Sequence, residues 1–166
     1  LAATLAPTWG VYSGFELFEG ESARPGSEEY QNSEKYALRP RDFSAALNEG
    51  RSLEPYLARL NEIRRAHPAL QQLRDIHFHH TDNDQVIVWS KTDVKSGDTV
   101  LVVCTLDPTN VQAANLALDM PSLGADWGDT LQVHDEVGGD TFSWGQFTFA
   151  RLEPWREDYL PPVLQA

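Results

Sequence analysis

The residues of this sequence best suited to chemistry lie in a polar loop, defined as residues 33–42. It contains Lys35 and Tyr36, with Arg39 and Arg41 close behind. A lysine ammonium is a point charge for an anionic group such as phosphate, and a tyrosine both stacks on and hydrogen-bonds to a sugar. The polar loop is therefore a candidate for binding a polar or anionic ligand. The alternative is a solvated loop whose local ion pairs stabilise little.

A second candidate is Glu16, which follows a turn of small residues at the end of an aromatic, apolar segment. Barrel enzymes place catalytic groups at the C-terminal ends of their strands, so this carboxylate could act as an acid or a base. The reading that the sequence favours is a carboxylate that anchors the neighbouring loop.

The histidines cluster in the middle of the chain, where His77, His79 and His80 could suggest a metal site. In a strand, His77 and His79 would project from one face. A zinc site needs three or four convergent ligands with supporting hydrogen bonds, and this spacing alone does not provide them. We therefore expect hydrogen-bonded or surface histidines and no metal.

Acidic residues with a tryptophan among them give a weak calcium-like pattern: Asp126, Trp127, Asp129, Asp135 and Asp140. They lack the regular oxygen spacing of a dedicated calcium loop. The sequence contains no glycine loop for cradling phosphate and no paired nucleophile and base. It predicts no cofactor.

The elements that would position the polar loop flank it on both sides. Residues 7–18 predict a short strand that runs into a turn at Gly14, where the missing side chain allows a sharp bend. After the loop, Ser52 is the expected N-cap of a helix over residues 53–66, with Pro55 in its first turn and Pro68 ending it. Its apolar side chains recur at helical spacing: Leu53, Tyr56, Leu57, Leu60 and Ile63.

After Leu73 the hydrophobic period becomes strand-like. Turn signals separate six short β-rich runs: Ile76–His80, Val86–Lys91, Thr99–Leu106, Asn115–Leu118, Thr130–Asp135 and Phe147–Leu152. Six such runs in about ninety residues are typical of an antiparallel sandwich. The sequence therefore predicts a mainly β fold.

The charge distribution also changes near Leu73. Residues 1–74 contain nine Lys/Arg and ten Asp/Glu, whereas residues 75–166 contain four and fifteen. We therefore predict two parts, residues 1–74 and residues 75–166. The acidic second part disfavours nucleic-acid binding. No apolar run approaches a membrane span, and the lone Cys104 fits a reducing cytoplasm.

In this order, the pieces resemble the C-terminal end of an α-amylase-superfamily enzyme. Residues 9–16 resemble the eighth strand of a (β/α)8 barrel and its turn, and residues 57–70 resemble the final barrel helix. The β-rich remainder resembles the sandwich domain that follows the barrel. The resemblance implies a sandwich of the amylase C-domain type, preceded by the last strand, loop and helix of the barrel.

Residues 25–30, 33–42 and 73–84 more specifically resemble bacterial maltosyltransferases that use α-maltose 1-phosphate to extend α-1,4-glucans. The resemblance covers residues 8–154, although residues 147–155 depart from the usual pattern. It implies that Lys35 and Tyr36 line the donor-sugar pocket, and that the substrates are α-maltose 1-phosphate and glucan. The family's catalytic aspartates and glutamate would lie upstream of Leu1, so no catalytic residue is expected here.

Two other functional classes stay open. A hydrolase of the same superfamily would share the barrel end without needing the Lys-Tyr pair. A non-catalytic carbohydrate-binding sandwich would use exposed aromatic residues such as Trp127 or Trp144. A homodimeric parent enzyme is also left open.

Overall fold

The computed structural model describes residues 1–31 and 39–154 of the chain. Three helices come first, α1 (Ala2–Leu5), α2 (Phe43–Asn48) and α3 (Glu54–Ala66), with 3₁₀ turns at Phe15–Leu17 and Pro68–Gln71. Seven strands follow: β1 (Ile76–Thr81), β2 (Val86–Asp93), β3 (Asp98–Thr105), β4 (Gln112–Ala117), β5 (Leu131–His134), β6 (Thr141–Trp144) and β7 (Phe147–Leu152). Within the described ranges, every helix is too short or too polar to cross a bilayer.

Helix α3 lies almost where the sequence predicts it. Its first residue is Glu54, and its N-cap is Leu53, so the prediction of Ser52 as N-cap is wrong by one residue. The Ser52 hydroxyl still accepts a hydrogen bond from the Glu54 amide at 3.1 Å, and it thereby satisfies one free donor of the first turn. Pro68 restricts His67 to an extended backbone, which ends the helix.

Five strands form an antiparallel sheet in the order β3-β2-β1-β4-β7. Strand β2 lies between β3 and β1, with Trp89 opposite Val102 on one side and opposite Phe78 on the other. Strand β4 joins β1 to the edge strand β7, where Asn115 faces Phe149. All six predicted strand runs are strands. The inner strand β2 is buried on both faces, whereas the edge strand β7 exposes Phe147 and Phe149 and buries Ala150.

The remaining strands, β5 and β6, pair as a separate antiparallel sheet that covers one face of the five-stranded sheet. Leu131 of β5 and Trp144 of β6 pack against a core that includes the buried Val88, Leu116 and Ala150. Two antiparallel sheets thus enclose one apolar core. The prediction of a mainly β, antiparallel sandwich is confirmed.

Strand β6 is absent from the sequence prediction. Thr141, Phe142 and Trp144 favour a strand, but the run has only four residues and lies between turn residues at positions 138–140 and Gly145. Pairing with β5, in the register Leu131 opposite Trp144, makes it a strand.

The helical part of the chain contacts both sheets of the sandwich through side chains of α3 and its C-cap. His67, at the end of α3, lies 2.8 Å from the Asp98 carboxylate through its Nδ1 atom. The other oxygen of Asp98 accepts a hydrogen bond from the Ala69 amide at 3.0 Å. Arg59 of α3 donates to the Glu136 carbonyl from Nε at 2.9 Å, and His67 Nε2 lies 3.6 Å from the carboxylate of the same residue. The division at residues 74 and 75 stays a prediction.

The predicted strand over residues 7–18 is wrong. These residues form no strand; the segment runs irregularly to Tyr12 and then enters the 3₁₀ turn Phe15–Leu17. A barrel strand is stabilised by hydrogen bonds to strands on both sides, and no strand pairs with this segment in the described part of the chain. The barrel is therefore not visible in this structure. The sharp turn at Gly14 is present, with φ at 106°.

Candidate functional site

The described residues before and after positions 32–38 contact one short segment of chain, residues 19–22. Lys35 and Tyr36 themselves lie outside the described residues, so the structure does not test their predicted role. The surrounding residues define what we call the loop base, formed by Glu19, Arg39 and Arg41.

The loop base is a carboxylate held by two guanidinium groups. Arg41 donates to the two Glu19 oxygens in parallel, from Nε at 3.0 Å and from Nη2 at 2.9 Å. Arg39 adds an ion pair at 3.3 Å from its Nη1 to Glu19 Oε2. Such a bidentate pair fixes orientation as well as distance. It therefore sets the direction in which the chain leaves the polar loop.

These contacts also set the charge states of the loop base. The hydrogen bonds from Arg41 lower the pKa of the Glu19 carboxyl, and the charge of Arg39 acts in the same direction against the effect of burial. In turn, the hydrogen bond with Glu19 raises the pKa of Arg41. Both groups are therefore charged throughout the neutral range.

The chain enters the polar loop through a small hairpin over residues 21–31. The Ala23 amide donates to the Glu29 carbonyl, and the Gln31 amide donates to the Glu21 carbonyl, both at 2.7 Å. A turn with Gly26 at a φ of 78° closes the hairpin. The Pro25-Gly26 pair in the sequence is the signal for this turn.

Glu16 anchors its own turn. Its Oε2 accepts a hydrogen bond from the Gly14 amide at 3.0 Å, and its carbonyl accepts one from the Leu53 amide at 2.8 Å. These two bonds tie the turn to itself and to the start of α3. The contacts support the anchoring role that the sequence favours over acid or base chemistry.

The turn at Gly14 also shapes the loop base. A Cβ atom on Gly14 would lie 2.3 Å from Glu19 Oε2 and 3.1 Å from Arg41 Nη2. Only glycine leaves room for the Glu19–Arg41 pair at this point, and only glycine adopts its φ without strain.

Two of the three histidines of β1 contact protein groups through their ring nitrogens, whereas His80 is exposed. His77 and His79 share a face, with ring centroids 5.0 Å apart. His79 accepts from the Asp119 amide at Nδ1 and lies 3.0 Å from the Ser90 hydroxyl at Nε2. Because Nδ1 is the acceptor, the neutral ring carries its proton on Nε2. His77 pairs with the Asp119 carboxylate at 3.3 Å.

Other candidates form local structure. Across the described ranges 1–31 and 39–154, no three His, Cys, Asp or Glu residues are arranged to hold a metal ion. Asp129 closes the calcium-like segment on itself by accepting from the Asp126 amide at 2.8 Å. Trp144 packs on the sandwich core, whereas Trp127 is exposed. Of the two, only Trp127 is thus available as a stacking surface for a sugar.

The sequence analysis does not identify two buried cations, Arg64 and Lys91, that donate hydrogen bonds to backbone carbonyls of residues 3–7. Arg64 reads as a cation near the C-terminus of a helix, and Lys91 as the polar end of a strand. Both are buried in the structure. The one signal for Lys91 is its place one residue after the apolar run Val86–Trp89 of β2.

Comparison with known proteins gives consistent similarities. Residues 78–159 match the family model described as GLGE, C-terminal. The alpha-1,4-glucan:maltose-1-phosphate maltosyltransferase of Corynebacterium glutamicum is 57% identical over 157 residues, which cover 95% of this chain and 23% of that protein. A protein of that name from Streptomyces coelicolor, numbered 2, is 56% identical over 94% of the chain. One from Mycobacterium tuberculosis is 55% identical over 94%. The chain spans less than a quarter of the length of these curated relatives.

Proposed function

Because the chain belongs to the family of α-1,4-glucan:maltose-1-phosphate maltosyltransferases, we propose that it is the C-terminal part of such an enzyme. The enzyme would transfer maltosyl units from α-maltose 1-phosphate to the non-reducing end of an α-1,4-glucan. The observation that carries this proposal is identity above one half over nearly the whole chain, including the polar loop.

The proposed reaction is a retaining double displacement. A carboxylate displaces phosphate to form a β-maltosyl-enzyme, and the 4-hydroxyl of the glucan then attacks that intermediate. We assign neither the nucleophile nor the acid/base to this chain, since we expect both on barrel strands that it does not include. The contribution proposed for this chain is donor binding and the sandwich domain.

Donor binding is assigned to Lys35 and Tyr36. The lysine would donate a charge-assisted hydrogen bond to the donor, and the tyrosine would combine ring contact with a hydrogen bond from its hydroxyl. The loop base supports this assignment, because the Glu19–Arg41 pair fixes the end of the polar loop and the hairpin over residues 21–31 orders the chain before it. A binding loop needs such fixed ends to present its side chains in one geometry.

The test is kinetic and uses the full-length enzyme that contains this chain. Losing a charge-assisted hydrogen bond costs about 1.5–3 kcal/mol, so Lys35→Ala should lower kcat/KM for α-maltose 1-phosphate roughly tenfold to over a hundredfold. Tyr36→Phe should lose less, because the ring remains. The control is Lys95→Ala, which removes an exposed lysine from the β2–β3 turn. Full donor turnover by both loop variants would refute the assignment.

The same assay separates the rival classes. A hydrolase would release maltose from glucans without requiring a sugar phosphate, whereas the proposed transferase releases phosphate as the glucan grows. A carbohydrate-binding sandwich would bind maltooligosaccharides through Trp127 without turnover, and Trp127→Ala would abolish that binding.

Location and partners complete the proposal. We place the reaction in the cytoplasm, where the single Cys104 would stay reduced. The proposal includes no nucleic acid, membrane or metal. Whether the full-length enzyme is a homodimer can be decided by analytical ultracentrifugation.

A further inference from the structure

Two buried cations stand out from the charged residues of this chain. Lys91 of β2 is 0% exposed and Arg64 of α3 is 9% exposed. Among the described residues, neither forms an ion pair with a carboxylate. An isolated buried charge is strongly unfavourable unless other polar groups solvate it, so the groups around these two cations must take that role.

Backbone carbonyls of the N-terminal segment, residues 1–7, surround both cations. Arg64 donates to the carbonyl of Ala3, to that of Ala6 at 3.1 Å and to that of Pro7 at 2.7 Å. Lys91 donates to the carbonyls of Thr4 and Leu5, at 3.4 Å and 3.1 Å. The two side chains therefore cover five consecutive carbonyls.

The geometry suits both partners. The last carbonyls of a helix have no partner within it and carry partial negative charge, and α1 ends within this segment. Burial lowers the pKa of Arg64, and burial together with the charge of Arg64 lowers that of Lys91. The carbonyls solvate the two buried charges, and the cations satisfy the carbonyls as hydrogen-bond acceptors. Displacing the segment would therefore leave two buried charges unsolvated.

From the N-terminal segment, contacts continue to the loop base. The Trp9 indole donates to the Asn61 side chain of α3 at 3.1 Å. The Glu16 carbonyl accepts from the Leu53 amide, which holds the turn before Glu19 against the start of the same helix. The chain from Pro7 to Glu19 therefore lies along α3 between the two buried cations at one end and the loop base at the other.

We propose that Arg64 and Lys91 are positioning residues for donor binding, because they fix the N-terminal segment to α3 and to β2 of the sandwich. The location of the segment determines where the turn at residues 14–19 stands, and with it Glu19 and the arginines that close the polar loop. The sandwich thereby acts on the donor site through one short stretch of backbone. This inference rests on the proposed function, since it concerns the same site.

The experiment compares Arg64→Met and Lys91→Met with the matched controls Arg65→Met and Lys95→Met in the full-length enzyme. Both controls remove exposed cations, and Arg65 is the neighbour of Arg64 in α3. Well below the melting temperature, the two test variants should raise KM for α-maltose 1-phosphate about tenfold with a smaller change in kcat. The controls should keep both constants. A lower melting temperature with an unchanged KM would overturn the proposal.

A second measurement does not depend on turnover. Hydrogen exchange of the peptides that cover residues 1–19 should quicken in Lys91→Met and Arg64→Met and stay unchanged in the controls. If Arg64→Met fails to fold, Arg64→Lys keeps the charge but loses the planar fork, and it should show an intermediate increase. Unchanged hydrogen exchange in these peptides would refute the claim that Arg64 and Lys91 fix the N-terminal segment. If the variants show altered exchange but the wild-type enzyme does not turn over α-maltose 1-phosphate, the proposed function is refuted instead.

Discussion

Replacing Gly14 with alanine tests whether the turn before the loop base controls donor binding. Gly14 has a φ of 106°, and a Cβ at this position would lie 2.3 Å from Glu19 Oε2 and 2.9 Å from its Cδ. The substitution therefore has two effects. It strains the backbone, and it displaces the carboxylate that holds Arg41.

The strain alone has a known size. A left-handed backbone costs an L-residue about 1–2 kcal/mol. For a chain of this length that corresponds to roughly 2–8 °C in melting temperature. The smaller entropy of the unfolded alanine chain offsets part of this loss. Displacing Glu19 also removes its two parallel hydrogen bonds with Arg41, so Gly14→Ala should lower the melting temperature by more than the backbone strain alone does. The same substitution should lower kcat/KM for α-maltose 1-phosphate about tenfold.

Two glycines separate the effects. Gly26 has a φ of 78° with open space around its Cα, so Gly26→Ala reports strain without a clash. Gly10 has neither feature and reports the substitution itself. Melting temperatures are measured by circular dichroism on the 166-residue chain, and kcat/KM is measured by phosphate release from the full-length enzyme. If Gly14→Ala lowers the melting temperature no more than Gly26→Ala does, and keeps the same kcat/KM as Gly10→Ala, the Glu19–Arg41 pair does not position the polar loop.

Two further predictions concern the sandwich. Leu116→Ala, at a site 1% exposed, should lower the free energy of unfolding by about 2–5 kcal/mol in urea denaturation, while Leu73→Ala, at a site 67% exposed, should change it by less than about 0.5 kcal/mol. Equal losses would contradict the packing of the two sheets. Burial and the charge of His77 lower the pKa of His79 below its ordinary 6.5, against the effect of Asp119. The unfolded chain therefore binds more protons below pH 6.5, and stability should fall as pH drops from 6.5 to the folded pKa. His79→Gln should lack this loss, and parallel stability curves for the two proteins between pH 5 and 8 would show that His79 does not titrate differently on folding.

The secondary structure of the sandwich is largely readable from the sequence because its signals are local. Alternating apolar residues bounded by turn residues predict six of the seven strands, and the apolar spacing before Pro68 predicts α3 within one residue. These patterns work because each strand or helix buries one face, whatever lies beyond it. The family resemblance is likewise readable from residues 33–42 and 73–84, and the comparisons confirm it. The roles of Lys35 and Tyr36 stay predictions.

What the tertiary structure decided depends on partners far away in sequence. Residues 7–18 have strand-forming side chains, but no strand within the described residues pairs with them, and they fold as a turn held by Glu16 and α3. Glu19 belongs to the loop base only because Arg41, 22 residues later in the chain, donates hydrogen bonds to it. Lys91 is the clearest case, because its burial depends on the carbonyls of Thr4 and Leu5, more than 80 residues earlier. A sequence pattern records which groups are polar, whereas only the folded chain determines which acceptors surround a charge, and that environment decides whether the charge can be buried.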